Sequence, residues 1–112
     1  MNATIINLTP HAVSIIAEDG TVKAAFPSKG VARATQAQEV VGDLDGIELV
    51  RMSFGSTEDL PAPAADTFYV VSIITANAAA AEGRTTDDLV ITADPVRDGE
   101  GKIIGCKRFA LV

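Results

Sequence analysis

Few side chains in this sequence have the chemistry of a catalytic group, and they form no familiar catalytic motif. His11 is the only histidine, and the nearest acids, Glu18 and Asp19, lie at a predicted turn. There is no HExxH motif and no other ligand spacing, so the sequence predicts no metal site. A general base at position 11 would need a nucleophile beside it, and no motif supplies one. The pattern favours His11 as a turn residue that follows Pro10.

A serine and a threonine lie where a predicted strand meets a predicted helix. At such a junction the free N–H groups of Ser72 to Thr75 and the positive end of the helix dipole can bind an anion. No glycine-rich loop precedes Ser72, so this is neither a P-loop nor a dinucleotide-binding fingerprint. The alternative is a plain helix cap, which is the commoner role of serine at this position.

Arginine and asparagine side chains supply further binding groups. Arg33 lies in a predicted strand and Arg97 leads into a predicted hairpin, and each can contact a phosphate or carboxylate through two hydrogen bonds. The alternatives are an exposed arginine on the sheet rim and a weak local ion pair between Arg97 and Asp98. Asn77 is a poor helix former, so it faces solvent, bonds a loop or reaches a ligand. We predict a ligand-binding site without catalytic residues, metal or cofactor, composed of Asn7, His11, Arg33, Ser72, Asn77 and Arg97.

The stretch from Thr67 to Arg84 positions several of these groups. Phe68 to Val71 is an unbroken apolar run, as in a strand buried on both faces. Ser72 is a good N-cap, the alanine-rich segment Ile73 to Glu82 favours helix, and Gly83 favours a left-handed stop. The sequence therefore predicts a strand followed by one main helix over residues 73–82.

The rest of the chain has the alternation and turn residues of a β protein. Predicted strands cover residues 3–8, 11–17, 21–26, 31–35, 47–54, 89–92 and 102–112, the last with a bulge at Gly105. The segment Gln36 to Asp45 is ambiguous, and its pattern is consistent with a strand through Glu39, Val40 and Val41 followed by a turn from Gly42 to Gly46. Asp94-Pro95 is predicted to turn the chain. These patterns predict one α+β domain spanning residues 1–112, with a mostly antiparallel sheet.

Composition limits the partners. The net charge of −6 argues against general binding to DNA, RNA or an anionic membrane. Residues 1–10 lack the features of a signal peptide, and no apolar run approaches the length of a membrane helix. The lone Cys106 is consistent with a reducing cytoplasm. An apolar content of 47% in a short chain, including the terminal Phe109 to Val112, predicts a homo-oligomer.

Four sequence blocks resemble a family of small proteins encoded in phage and prophage genomes. The blocks are Ile6 to His11 (INLTPH), Pro27 to Arg33, Tyr69 to Ser72, and Val96 to Asp98 with Ile103 to Cys106. The segment Phe26-Pro27 departs from the double proline that is usual in that family. The resemblance implies a phage origin and action in the cytoplasm of an infected bacterium, and it implies no particular activity.

Three classes of function are consistent with these residues. In the first, the protein is a non-catalytic sponge that sequesters a nucleotide-derived signal of bacterial immunity, because the sequence has binding groups and lacks a nucleophile–base pair. In the second, it is a small hydrolase of a nucleotide-like substrate that uses His11 with Asp98 or Ser72. In the third, it is a structural or host-protein-binding module of the phage. We favour the first, an association that rests on the phage resemblance.

Overall fold

A computed structural model of the protein describes residues 3–112. The described residues form an α+β fold with mainly antiparallel strand pairing, as predicted from the sequence. Its elements are β1 (Thr4–Asn7), β2 (Val13–Ile16), β3 (Val22–Phe26), β4 (Gln36–Leu44), β5 (Ile47–Phe54), β6 (Thr67–Val70), α1 (Ile73–Ala81), β7 (Leu89–Arg97) and β8 (Ile103–Leu111). No helix in this described range is long and apolar enough to cross a membrane.

The predicted strand–helix unit is confirmed. Ser72 is the N-cap of α1, and its Oγ accepts a hydrogen bond from the Thr75 backbone N–H at 3.2 Å. The helix ends at Ala81, one residue before the predicted end, and Gly83 then has φ of +87°. Ala76 and Ala79 are fully buried in the core beside Tyr69 of β6 and Leu89 of β7, so the absence of larger side chains lets α1 lie close to the sheet, and α1 also contacts β5.

The main sheet has six strands in the order β1-β6-β7-β8-β2-β3. Its pairings are mixed, since β1, β6 and β7 run parallel while β7–β8 and β2–β3 are antiparallel. The two edge strands meet at one end: Asn7 and Ser28 form a bridge, and the Lys29 N–H donates to the Asn7 carbonyl at 2.9 Å. The sheet therefore curls until its edges touch. The main core lies under α1 and contains Leu8, Ala32, Tyr69, Val71, Ala76, Ala79 and Leu89.

Strands β4 and β5 form a separate two-stranded hairpin, which we call the arm (residues 36–54). Every residue of β4 is exposed, and in β5 only Val50 and Phe54 are half-buried. The predicted turn from Gly42 to Gly46 is too long, because β4 continues to Leu44 and only Asp45 and Gly46 turn the chain. Both turn residues have positive φ, at 50° and 88°, as a tight Asp-Gly hairpin requires.

Two other predictions of local structure are wrong. Residues 31–35 form no regular strand: Arg33 makes a single bridge to Glu58, while the Ala32 N–H donates to Leu8. Because successive residues bond different partners, no ladder develops. Nor does the chain turn at Asp94-Pro95, because β7 continues to Arg97.

Pro95 is tolerated inside β7 for a topological reason. It is paired with Cys106 of β8, whereas the pairing of β7 with β6 involves only Leu89 and Val90. At Pro95, β7 therefore has β8 as its one described neighbour. On the side away from β8 there is no partner strand to accept a backbone N–H at position 95, so proline costs no hydrogen bond there. The expected bulge in β8 is present: Val96 pairs with Gly105 and Arg97 with Ile103, so Ile104 is the extra residue.

Candidate functional site

A cavity of about 480 Å³ lies at the N-terminal end of α1, and we call it the helix-end cavity. It opens where β6 ends and the chain turns through Ser72 into the helix, and the irregular segment 31–35 forms the opposite wall. Its apolar lining includes Leu8, Pro10, Val31 and Ile74, and its polar lining includes Thr9, Arg33, Thr35, Ser56, Glu58, Ser72 and Thr75.

The helix end presents a positive potential to this cavity. The first-turn N–H groups of Ile73 and Ile74 have no acceptor within a helix, whereas the Thr75 N–H is capped by Ser72. No acidic residue lies in the first turn to cancel the dipole. The two hydroxyls are part of the cap itself: Ser72 Oγ donates to Thr75 Oγ1 at 3.0 Å, and Thr75 Oγ1 donates to the Ala32 carbonyl at 3.2 Å.

Residues of opposite charge lie next to each other in the cavity lining. The backbones of Arg33 and Glu58 exchange two hydrogen bonds, of 2.9 and 2.7 Å, which fixes both residues in the lining. The exposed Arg33 guanidinium offers a fork of donors to an anionic group. The Glu58 carboxylate accepts hydrogen bonds only, so it suits hydroxyl or amino groups and disfavours a ligand that is anionic throughout.

Asn7, which we predicted as a ligand contact, is committed to bonds within the protein. Its side-chain Nδ2 donates to the carbonyls of His11 and Phe26 at 2.8 and 2.9 Å. Its Oδ1 accepts from the Thr9 N–H and hydroxyl at 3.0 and 2.6 Å. These four bonds use the full capacity of the amide, and the residue is only 1% exposed. In this arrangement Asn7 shapes the wall at Thr9 and Pro10.

His11 lies in other cavities. With Val13, Pro95 and residues 102–106 it lines a depression of about 590 Å³ beside β8, which we call the β8 groove. It also shares a cavity of about 490 Å³ with Ser72, Val71 and Ile103. Ser72 and Arg33 therefore line the helix-end cavity together, whereas His11 shares a different cavity with Ser72.

The two remaining predicted site residues lie elsewhere. Arg97 sits at the β7–β8 hairpin, where its Nη1 donates to the Gly101 carbonyl at 2.8 Å. None of these three cavities contains both Arg33 and Arg97. The Asp98 carboxylate accepts from the N–H groups of Glu100 and Lys102, so hairpin bonds replace the local ion pair considered from the sequence. Asn77 is half-buried on α1.

Sequence reasoning missed Glu58 as part of the site. Residues 55–66 have no periodic pattern, and no local signal indicates that Glu58 pairs with Arg33, 25 positions earlier in the chain. Ile74 was missed for a different reason: it was assigned to the helix as a whole, and only the orientation of α1 brings it to the cavity lining.

The ionisable groups with clearly shifted pKa values lie outside the helix-end cavity. A side-chain and a backbone hydrogen bond from Thr21 lower the pKa of Asp19, and two bonds from Thr57 lower the pKa of Glu82. Burial raises the pKa of the Cys106 thiol, which makes it a poor nucleophile. Among residues 3–112 no cluster of three or more His, Cys, Asp or Glu side chains is arranged to hold a metal ion.

Comparisons of this chain with protein-family models, with curated proteins and with solved structures find no match.

Proposed function

We propose that this protein is a non-catalytic binding protein that sequesters a small nucleotide-like anion in the helix-end cavity. The observation that carries the proposal is that Arg33 and the N-terminal end of α1 face one cavity of about 480 Å³. That volume falls within the range of small-molecule sites. An arginine fork beside a helix N-terminus suits a phosphate group.

The other lining groups suit the remainder of a nucleotide. Glu58 can accept hydrogen bonds from ribose hydroxyls or from an exocyclic amino group. Leu8, Val31 and Ile74 supply apolar surface for the face of a base. A bare inorganic anion would use only the arginine and the helix end and would face the Glu58 carboxylate without compensation. The mixed lining thus supports a ligand with one anionic end and a neutral body.

The biological setting belongs to the same proposal. The resemblance to phage-encoded proteins supports the cytoplasm of an infected bacterium as the place of action, and the choice of a nucleotide-derived immune signal as the ligand is an association with that setting. The helix-end cavity is lined by binding groups and has no histidine beside Ser72, which fits a sponge better than an enzyme. Asp98, one partner considered for a catalytic His11, is occupied by backbone N–H groups of its own hairpin.

Calorimetric titration with cyclic dinucleotides, cyclic mononucleotides and ADP-ribose tests the proposal. After binding, the protein is denatured and the released ligand is analysed by chromatography. Recovery of intact ligand is the expected result. Recovery of altered ligand would assign a hydrolase, and absence of binding by every probe would favour the structural or host-protein-binding module.

Two arginine variants locate the site. Arg33→Ala should weaken binding about ten- to hundredfold, because a charged hydrogen bond to phosphate contributes about 1.5–3 kcal/mol. Arg33→Lys should restore only part of the affinity, since lysine cannot make the forked contact. Arg97→Ala is the matched control from the same sequence-based site, because the structure places it outside this cavity. Wild-type affinity in the Arg33 variants would exclude the helix-end cavity, and loss in Arg97→Ala would extend the site to the β7–β8 hairpin.

One observation favours the hydrolase alternative. His11 and Ser72 line the same cavity of about 490 Å³, so the chain does bring a potential base and a potential nucleophile to one side. If this pair were catalytic, His11→Ala would abolish ligand turnover and leave ligand affinity intact. A sponge predicts intact ligand with both the wild type and this variant.

A further inference from the structure

The arm exposes more apolar surface than a free hairpin tolerates. Six of its aliphatic residues are between 41% and 71% exposed: Val40, Val41, Leu44, Ile47, Leu49 and Met52. A two-stranded hairpin without a packed face is at best marginally stable in water. Yet its tight turn at Asp45 and Gly46 and its pairing from Gln36–Phe54 to Leu44–Ile47, interrupted by a bulge at Val41, define one conformation. An exposed apolar surface on a hairpin of defined conformation is typical of a binding surface.

The whole chain shows the same excess of surface. A folded monomer of 11.6 kDa is expected to expose about 5,800 Å², whereas this chain exposes 7401 Å². Its radius of gyration is 16.6 Å, compared with about 13 Å for a compact chain of this length. The excess of roughly 1,500 Å² is larger than the about 800 Å² that each partner contributes to a standard interface. The chain therefore has enough uncovered area for a stable complex.

Charge at the tip of the arm indicates what covers it. Asp43 and Glu48 are directly opposite each other on adjacent strands, and like charges in that position destabilise a sheet. Asp45 adds a third carboxylate at the turn, next to the exposed Leu44 and Ile47. The tip thus carries apolar side chains on one face and a cluster of negative charge on the other, so it fits a groove with an apolar floor and a cationic rim.

The β8 groove has those two properties. Its floor includes Ile103 and Ile104, which are 53% and 46% exposed, and Lys102 stands at its rim. Farther along the same strand Lys107 is exposed, while Arg108 is paired with Asp94 at 2.7 Å. The segment 102–112 carries cations and no carboxylate side chain, in a protein whose net charge is −6. The complement of the acidic tip is therefore present on the chain itself.

We propose that the arm is an exchange arm: its tip, Asp43 to Glu48, docks in the β8 groove of a second copy of this chain. The second copy returns its own arm to the first, since the two surfaces are different and both are present on every chain. This reciprocal exchange closes a two-fold symmetric dimer without leaving an arm or a groove free. Leu44 and Ile47, which share one face of the tip, pack on Ile103 and Ile104, while Lys102 at the rim of the groove reaches the carboxylates of Asp43 and Glu48 on the opposite face.

Pairwise cross-linking tests the contact directly. Chains carrying Leu44→Cys and chains carrying Ile104→Cys, both in a Cys106→Ser background, are mixed and oxidised. A disulfide between the two kinds of chain is expected. Leu44→Cys mixed with Val22→Cys is the matched control, because Val22 is 60% exposed on β3, outside the groove. Equal cross-linking in the two mixtures, or none in either, would overturn the proposal.

Charge exchange gives a second, independent test by sedimentation. Glu48→Lys and Lys102→Glu should each raise the dissociation constant of the dimer at least tenfold. Mixing the two variants should restore association, because one of the two arm–groove contacts in the mixed dimer again joins opposite charges. Asp87→Lys, an exposed acid outside the arm, should leave the dimer unchanged. A wild-type species of 11.6 kDa at micromolar concentration would overturn the proposal, as would a dimer that both charge variants leave intact. Neither result bears on ligand binding by the helix-end cavity.

Discussion

Asn7 stabilises the fold through an amide in which every hydrogen-bonding position is used. Asn7→Ala would leave the carbonyl of Phe26 and the N–H of Thr9 without the partner that Asn7, only 1% exposed, supplies, while the His11 carbonyl would still accept from the Thr9 hydroxyl at 3.0 Å. Each group left without a partner costs about 1–3 kcal/mol, so the free energy of unfolding should fall by roughly 2–6 kcal/mol. Urea denaturation measures the change. Asn77→Ala is the control, and it should hold or slightly raise stability because alanine is the better helix former.

A similar stability in Asn7→Ala and the wild type would contradict this account of the residue. It would mean that water or a shifted loop replaces the four bonds without cost.

Glu82 provides a prediction of pH dependence. The N–H and the hydroxyl of Thr57 donate to its carboxylate at 2.7 and 2.9 Å, and these bonds lower its pKa from the ordinary 4.5. A lowered folded-state pKa stabilises the protein above the unfolded-state pKa, and this contribution is lost as the pH falls through the folded-state value. Thr57→Val should raise the pKa of Glu82 only part of the way, because the backbone bond remains. NMR titration of the Glu82 side-chain carbonyl measures both values, and an unchanged pKa in the variant would show that the hydroxyl bond contributes nothing.

At the scale of the element, Gly105 sets how closely β8 approaches β2. A Cβ at this position would lie 2.6 Å from the Ser14 carbonyl oxygen and 2.8 Å from Cγ1 of Ile16. Gly105→Ala should therefore push the two strands apart and lower the free energy of unfolding by about 1–3 kcal/mol. Gly99→Ala at the β7–β8 hairpin is the matched control, since nothing lies within 4 Å of its added Cβ. Thermal denaturation of the pair decides the question, and equal midpoints would show that the strands yield without cost.

The elements that sequence could predict are those with local signals. The apolar run before Ser72, the alanines after it and Gly83 together define β6 and α1, because capping and propensity act within a few residues. The segment 31–35 alternates like a strand, yet its partners Leu8 and Glu58 lie in different parts of the chain. Alternation gives no information about such partners, so this prediction failed.

The residues of the candidate site at the helix-end cavity were predictable only in part, because the sequence gives no information about partners that are distant in the chain. Ser72 carries the signal of a helix N-terminus, and arginine is the expected donor for an anion. Whether Arg33 or Arg97 shares a cavity with Ser72 depends on how the sheet curls, and no local pattern reports that. Asn7 is polar and near a turn, which fits a ligand contact equally well until its four internal bonds are seen.

At the scale of the whole molecule, folding and association should be linked. If each arm is covered only in the exchanged dimer, the unfolding midpoint must rise with protein concentration, since mass action stabilises the associated folded state. For a dimer of chains this size, a hundredfold increase in concentration should raise the midpoint by roughly 5 °C. Scanning calorimetry at two concentrations measures the shift.

The control is a shortened arm in which an Asn-Gly turn replaces residues 41–49 and joins Val40 to Val50, which already face each other across the hairpin. That variant loses the acidic tip, should be monomeric, and should unfold at a midpoint independent of concentration. A wild-type midpoint that does not move with concentration would show that the arm is stable uncovered, and the excess surface of this chain would then need another explanation.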